Sequence, residues 1–333
     1  MSDQPDHSSI SGRSSRRRVL LAGTLAPLVA TLGAGAARGD TQTGHGRDHG
    51  RGGIPPVATT DADWQQVAAA LDRRGTVMGG TVYRVPAARR DLRVRSYGVQ
   101  VKAGLALGSY AAFARYVDGS TLVMGDLVVT EAELQQVTDA LHGNGLEQTA
   151  VHKHLLAHQP PVWWTHFHGV GTDPAALARG VKAALDVTAT PPPAPPSPPP
   201  PIELDTAGID AALGASGSND GGIYKFTFVR AETITDQHRV LPPALGVTTA
   251  LSFQPVDGGR AAINGDFAMV ADEVNEVIVA LRTGGIAVVE LHNHALTDSP
   301  RLFYAHFWAV DDGVRLARAL RAAVNATNVH PPS

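Results

Sequence analysis

Two stretches of the chain carry the residue types most suited to chemistry. "VHKHLLAHQPPVWWTHFHG" runs from Val151 to Gly169, and "LHNHALTDSPRLFYAHFWA" follows 140 residues later, from Leu291 to Ala309. Each holds a His-x-His pair, a polar stop near a proline, and a third histidine twelve residues after the second of the pair. In a strand, alternate residues share a face, so His152 and His154 point the same way, as do His292 and His294. If Ala157 to Pro161 form the turn of a hairpin, His154 faces His166 and His152 faces His168; the second copy places His294 opposite His306 and His292 opposite Trp308. Cross-strand Cβ atoms lie ~4.5–5.5 Å apart, which lets two imidazoles bind one ion at ~2.0–2.1 Å each. Trp164 joins this face in the first copy, Tyr304 and Glu290 in the second. The other face, with Val151, Leu155, Trp163 and Phe167, matched by Leu291, Ala295, Phe303 and Phe307, reads as core.

Carboxylates complete the candidate sets: Asp126 and Glu133 with His152, His154 and His166, and Asp266 and Glu273 with His292, His294 and His306. Such a donor set suits a divalent transition metal, with zinc, copper, iron and manganese not distinguished. Glu133 also fits a helix capping box with Thr130. The cap position of the second copy is Val270, so capping alone does not account for Glu273. Asp126 and Asp266 follow a glycine, where a turn aspartate is an equal reading. Three function classes stay open: a metal-binding protein, a metal-dependent enzyme with Glu273 or Glu290 as general base, and an envelope interaction module whose histidines are architectural. The expected partner is a metal or a small molecule.

The elements that position these residues repeat as well. At the same offset Phe113 matches Phe253, Gly125-Asp126 matches Gly265-Asp266, and Gly145 matches Gly285. A period this long means a duplicated domain and not a solenoid. The expected organisation is a first repeat over 61–188, a Pro-rich linker over 189–202 containing "TPPPAPPSPPPP", and a second repeat over 203–328. Such a linker is an extended strut of about 3.1 Å per residue. Within the first repeat, Trp64, Val67, Ala68 and Leu71 have helical spacing; "TVYRV", "DLRVR" and "STLVMGDLVVT" read as strands; "TEAELQQVTDALHGNG" is a helix, and another starts at Asp173-Pro174. The fold class is α+β, each repeat a small, mostly antiparallel sheet with helices on one face.

Composition narrows the field. Over 333 residues there is no cysteine, which excludes disulfides, thiolate metal sites and a cysteine nucleophile. The formal charge of −3 offers no reason to expect nucleic acid as a partner. P-loop, G-x-S-x-G and H-E-x-x-H motifs do not occur. Residues 1–39, with Ser15-Arg16-Arg17-Arg18 before a weakly apolar run, read as a twin-arginine signal, so the mature protein is expected in the periplasm or outside the cell and not spanning a membrane. Residues 40–60 read as a flexible Gly/His-rich segment.

"GDLVVTEAELQQVTDALHGNGLEQTAVHKHLL" and "NGDFAMVADEVNEVIVALRTGGIAVVELHNHAL" resemble the repeat of the LppY/LpqO family of bacterial envelope proteins. That resemblance implies an envelope or secreted location and supplies no reaction or catalytic residue. Lacking cysteine, this chain cannot be a lipoprotein as the family's name implies. The second repeat also has "RAETITDQHRV" where the first has "RRDLRVRSYGV".

Overall fold

A computed structural model describes residues 53–330 apart from Pro196. The expected leader over 1–39 and most of the Gly/His-rich segment lie outside the described residues. What is described of that segment is not free: Ile54 exchanges backbone hydrogen bonds with His238 and Val240, and the Val57 N–H donates to the Arg115 carbonyl. No described helix is long and apolar enough to cross a membrane.

Each repeat is a six-stranded antiparallel sheet. In the first, the order across the sheet is Thr76–Met78, Val82–Ala88, Gly108–Arg115, Thr121–Thr130, Val162–Gly171, Glu147–His152. The second repeats it with Ser218–Asp220, Ile223–Val229, Thr248–Pro255, Arg260–Met269, Phe303–Asp312 and Ala287–His292. The α+β duplication is therefore as the sequence implied. Strand Gly108–Arg115 carries no alternating signal in the sequence, because its Ala-rich segment "YAAFAR" has no polar alternation. "DLRVR" is mostly not strand: only Arg95–Ser96 pairs, with Val99–Gln100 on one side and His158–Gln159 on the other.

One face of each sheet is covered by helices. In the first repeat Trp64, Val67 and Leu71, Val137 and Leu141, and Ala178, Val181 and Ala184 pack on Phe113, Val123 and Phe167. Gly125 and Gly265 sit where chains press closest: a Cβ at Gly125 would strike the Tyr110 carbonyl and the Phe167 ring, and one at Gly265 the Ala250 carbonyl. That steric demand is why each copy keeps Gly before its aspartate.

The other face is where the repeats meet. Val82, Ala112, Leu122 and Met124 of the first sheet pack against Ile234, Leu241, Leu245 and Leu302 of the second repeat. Reciprocally, Val94, Leu105, Leu155 and Trp164 form a cluster with Ile223, Ala262 and Trp308. The two repeats are thus layered helix, sheet, sheet, helix, with a second apolar core between them. The Pro-rich linker is docked at both ends: the carbonyls of Pro191 and Pro200 accept from Arg73 and Asn219.

Candidate metal centre

The register of the strands sets the candidate residues on the inter-repeat face. Asp126 pairs across with His166, and Asp266 with His306, so each carboxylate and its histidine share a face. The expected hairpin register is wrong, however. His152 lies opposite Trp164, not His168, and the register shifts between Gln148 and Ala150. The second repeat shifts between Val288 and Glu290. This bulge matters because one extra residue reverses the facing of everything beyond it. Counted from Glu147, which faces the other repeat, His152 would point into the helix-covered core without the bulge; with it, His152 turns toward the second repeat. Val151 and Leu291, expected in the core, are accordingly exposed. His154 and His294 lie beyond their strands, which end at His152 and His292.

The two hairpins then interlock into one cluster. His152 stacks on its counterpart His292, with ring centroids 4.0 Å apart. The outer histidines exchange partners: His154 meets His306 at 3.8 Å, and His166 meets His294 at 3.9 Å. Asp126 Oδ2 lies 3.3 Å from His154 Nε2, and Asp266 Oδ2 lies 3.1 Å from His294 Nε2. Three groupings bring their ligand atoms within 4.8 Å of one another: His152, His292 and His306; His166, His292 and His294; and Asp126, His152 and His154. Two of the three draw on both repeats. The expectation of a separate triad in each repeat is therefore replaced by a shared arrangement.

Glu133 and Glu273 are not brought to it. Glu133 accepts from Arg89, from the Thr130 N–H and from the Ala189 N–H. Glu273 accepts from Arg230, the Val270 N–H and the Asn328 N–H. A buried arginine in each repeat explains why the glutamate recurs where the cap residue does not. Glu290, the other base considered, accepts the Lys153 N–H at 2.8 Å and so positions the first hairpin. His168 leaves the cluster: its Nε2 is 2.9 Å from Asp236 Oδ2, across the repeat boundary.

The electronic state of the cluster suits cation binding. The Nδ1–H groups of His166, His294 and His306 face the carbonyls of Gly125, Gly246 and Gly265 at 3.2, 3.0 and 2.7 Å. Donation there places the proton on Nδ1 and leaves the Nε2 lone pair free. The Nε2 atoms of His166 and His306 are buried without a hydrogen-bond partner, as are both ring nitrogens of His292 and Oδ1 of Asp126 and Asp266, while His294 Nε2 has only the Asp266 carboxylate beside it, at 3.1 Å. Leaving so many polar atoms unpaired is costly, and a bound ion is a partner that would satisfy several at once. His152 Nε2 and His154 Nε2 lie 2.9 Å apart, the spacing of two nitrogens each ~2.05 Å from one ion at roughly a right angle. The residues fit a nitrogen- and oxygen-ligated divalent transition metal.

Burial, aided by the neighbouring imidazoles, drives His166 and His294 down to about 3 and holds His152, His154 and His292 well below the usual histidine value. Burial also pushes the Asp266 carboxyl up to about 7. These shifts have opposite signs in stability. Below about pH 6.5 the unfolded chain takes up protons that the five folded histidines refuse, so they destabilise the fold as pH falls. Asp266 acts oppositely, since its proton is held in the fold up to about 7. Five groups outweigh one. The metal-free protein should lose stability between pH 6.5 and 5.5, at about 1 kcal/mol per histidine less a similar amount for Asp266. Urea midpoints of chelator-treated protein test this, and a midpoint that stays level or rises across that unit contradicts it.

A cleft of about 620 Å³ opens between the sheets and reaches His154, His166, His294, His306 and both aspartates. Its residues outside the histidine motifs, Arg84, Tyr110, Lys225 and Asn264 among them, carried no sequence signal beyond their place in the repeat.

With this geometry in hand, the comparison with known families is decisive for kinship. A model described as "Domain of Unknown Function (DUF1259)" matches twice, over residues 65–187 and 207–326. The chain belongs to the DUF1259 family. The resemblance to LppY/LpqO proteins is corrected accordingly: the matching model is DUF1259. The trimeric shell protein PduB is similar at 13% identity, covering 79% of this chain and 99% of that one, with a TM-score of 0.22. EtuB from Clostridium kluyveri is similar at 14% identity, covering 76% and 90%, with a TM-score of 0.19. At such scores the likeness carries no argument about the DUF1259 repeats. No curated protein matches the chain.

Proposed function

We propose that the two DUF1259 repeats together bind a divalent transition metal at a composite centre of His152, His154, His166, Asp126 and their counterparts His292, His294, His306 and Asp266. The supporting observation is the set of buried ring nitrogens and carboxylate oxygens without partners, together with three ligand groupings of which two draw on both repeats. The twin-arginine reading of residues 1–39 extends the proposal to export, by a route that carries proteins already folded and often with a cofactor inserted.

A second reading is a metal-dependent enzyme acting on a small extracellular molecule, and the cleft favours it. A storage or structural site has no need of a 620 Å³ opening onto its ligands. When bound, an ion there would supply Lewis-acid polarisation of a bound oxygen. The chain's own part would be to hold the Nδ1 protons of His166, His294 and His306 on carbonyls, to keep the imidazoles neutral, and to wall the centre with Trp164 and Tyr304, which stack on His154 and His294 at 4.5 and 3.4 Å.

Metal content by mass spectrometry, on protein exported by its own leader, tests the reading. One or two ions per chain are expected. Metal-free protein from every preparation, with no uptake of added zinc, would sink it.

A further inference from the structure

The cleft carries a second feature that the histidines do not explain. Arg84 and Lys225 occupy equivalent places in the two sheets: Arg84 pairs with Ala112 and Lys225 with Ser252, in strands that hold the same position in each sheet order. Both line the cleft. Directly paired residues share a sheet face, so the pairings define rows. Pro86, Tyr110, Asp126 and His166 form one row, and Arg84, Ala112 and Met124 the next on the same face. Thr227, Ala250, Asp266 and His306 form the corresponding row in the second sheet, with Lys225, Ser252 and Asn264 beside it.

Adjacent rows on one face are about 6.6 Å apart, and two strands span about 9.5 Å. The backbone of each cation thus stands one row and two strands from the aspartate of its own sheet, so cation and aspartate mark separate points along the cleft. Among the described residues each cation has partners that leave it able to take an anion. Lys225 Nζ meets Asp220, an exposed carboxylate, at 2.6 Å, and a surface pair of that kind is easily exchanged. Arg84 donates to the Ala244 carbonyl at 3.0 Å and lies 3.4 Å over the Tyr110 ring. That stacking orients a guanidinium while leaving its other N–H groups for an oxyanion.

We propose that the cleft binds a small organic anion, with its carboxylate or phosphate oxygens drawn to the cleft-wall cations Arg84 and Lys225 and another oxygen donor directed at the histidine–aspartate centre. The identity of the inner end rests on the metal reading; the anion subsite does not.

The test is calorimetric titration of the full chain, zinc-loaded and metal-free, with succinate and with glycerol 3-phosphate. Succinamide and glycerol serve as neutral controls. Binding of either anion and of neither control is expected, and the two probes separate a carboxylate from a phosphate ligand. Lys225→Gln should weaken binding about tenfold, the value of one charge-assisted contact, and leave zinc stoichiometry unchanged; Arg84→Gln should do the same. Because Arg84 also packs on Tyr110, the half-exposed Lys225 is the decisive variant should Arg84→Gln not fold. If zinc binds but neither anion does, or if both variants bind as the parent does, the proposal is overturned while the metal centre stands. If no zinc binds, the metal reading fails, and the metal-free titration decides alone: Lys225-dependent anion binding supports the subsite, and its absence overturns it.

Discussion

His292→Ala is expected to lower zinc affinity at least about 100-fold, since removing a ligand should cost no less than the 10–100-fold typical of losing a residue that merely supports one. His292 belongs to two of the three possible ligand groupings, one with His152 and His306, the other with His166 and His294. The loss should therefore extend to ligands of the first repeat, although the substitution lies in the second. Stability of the metal-free protein should change little or improve. Both ring nitrogens of His292 are buried and unpaired, so truncation removes a desolvated polar group and breaks no hydrogen bond. Competition against a chromophoric chelator, with denaturation of the metal-free protein alongside, measures both effects. A variant that loses one ion and keeps another at full parental affinity would show two independent sites, and the shared centre would be wrong.

Arg89→Ala should have the largest effect on stability, about 3–5 kcal/mol, the range for removing one partner of a buried ion pair. Arg89 is 1% exposed, yet it donates to Asp91, to Glu133 and to the Val128 carbonyl, tying a strand end to the start of helix Glu131–Gly143. Burial opposes the charge on Glu133, but Arg89 and the Thr130 and Ala189 N–H groups overcome it and hold the carboxyl below its usual range. That contribution is present at neutral pH and is lost as acid titrates Glu133 through its depressed value. Arg230 does the same in the second repeat, between Glu232, Glu273 and the Ala268 carbonyl. Denaturant midpoints of Arg89→Ala, Glu133→Ala and the double variant form the decisive cycle. A single-variant loss below about 1 kcal/mol would place the pair among weak surface bridges. Zinc stoichiometry should be unaffected, which separates this network from the metal centre.

This network also shows where sequence reading stops. Glu133 and Glu273 looked like ligand candidates because they recur with the histidines. Their real partners, Arg89 and Arg230, are 141 residues apart while the glutamates are 140 apart, so a comparison at constant offset passes over them. The same single-residue change in spacing hid the equivalence of Arg84 and Lys225.

Residue types and spacing alone determined the duplication, the α+β class, the helix starts at Thr130 and Asp173, and the recurrence of Asp126, His152, His154 and His166 in the second half. These are local or periodic properties: a capping residue acts on its own helix, and a repeat is visible wherever it lies. Tertiary structure alone decided that the two sets form one cluster. The facing of His152 depends on a bulge at Thr149, which no pattern in the strand announces, and the pairing of His154 with His306 and of His166 with His294 depends on two sheets burying their second faces against each other. Alternation along a strand says which residues share a side. It cannot say that the side is covered by another copy of the same sheet, because that contact is made by residues over a hundred positions away and is held by non-directional burial.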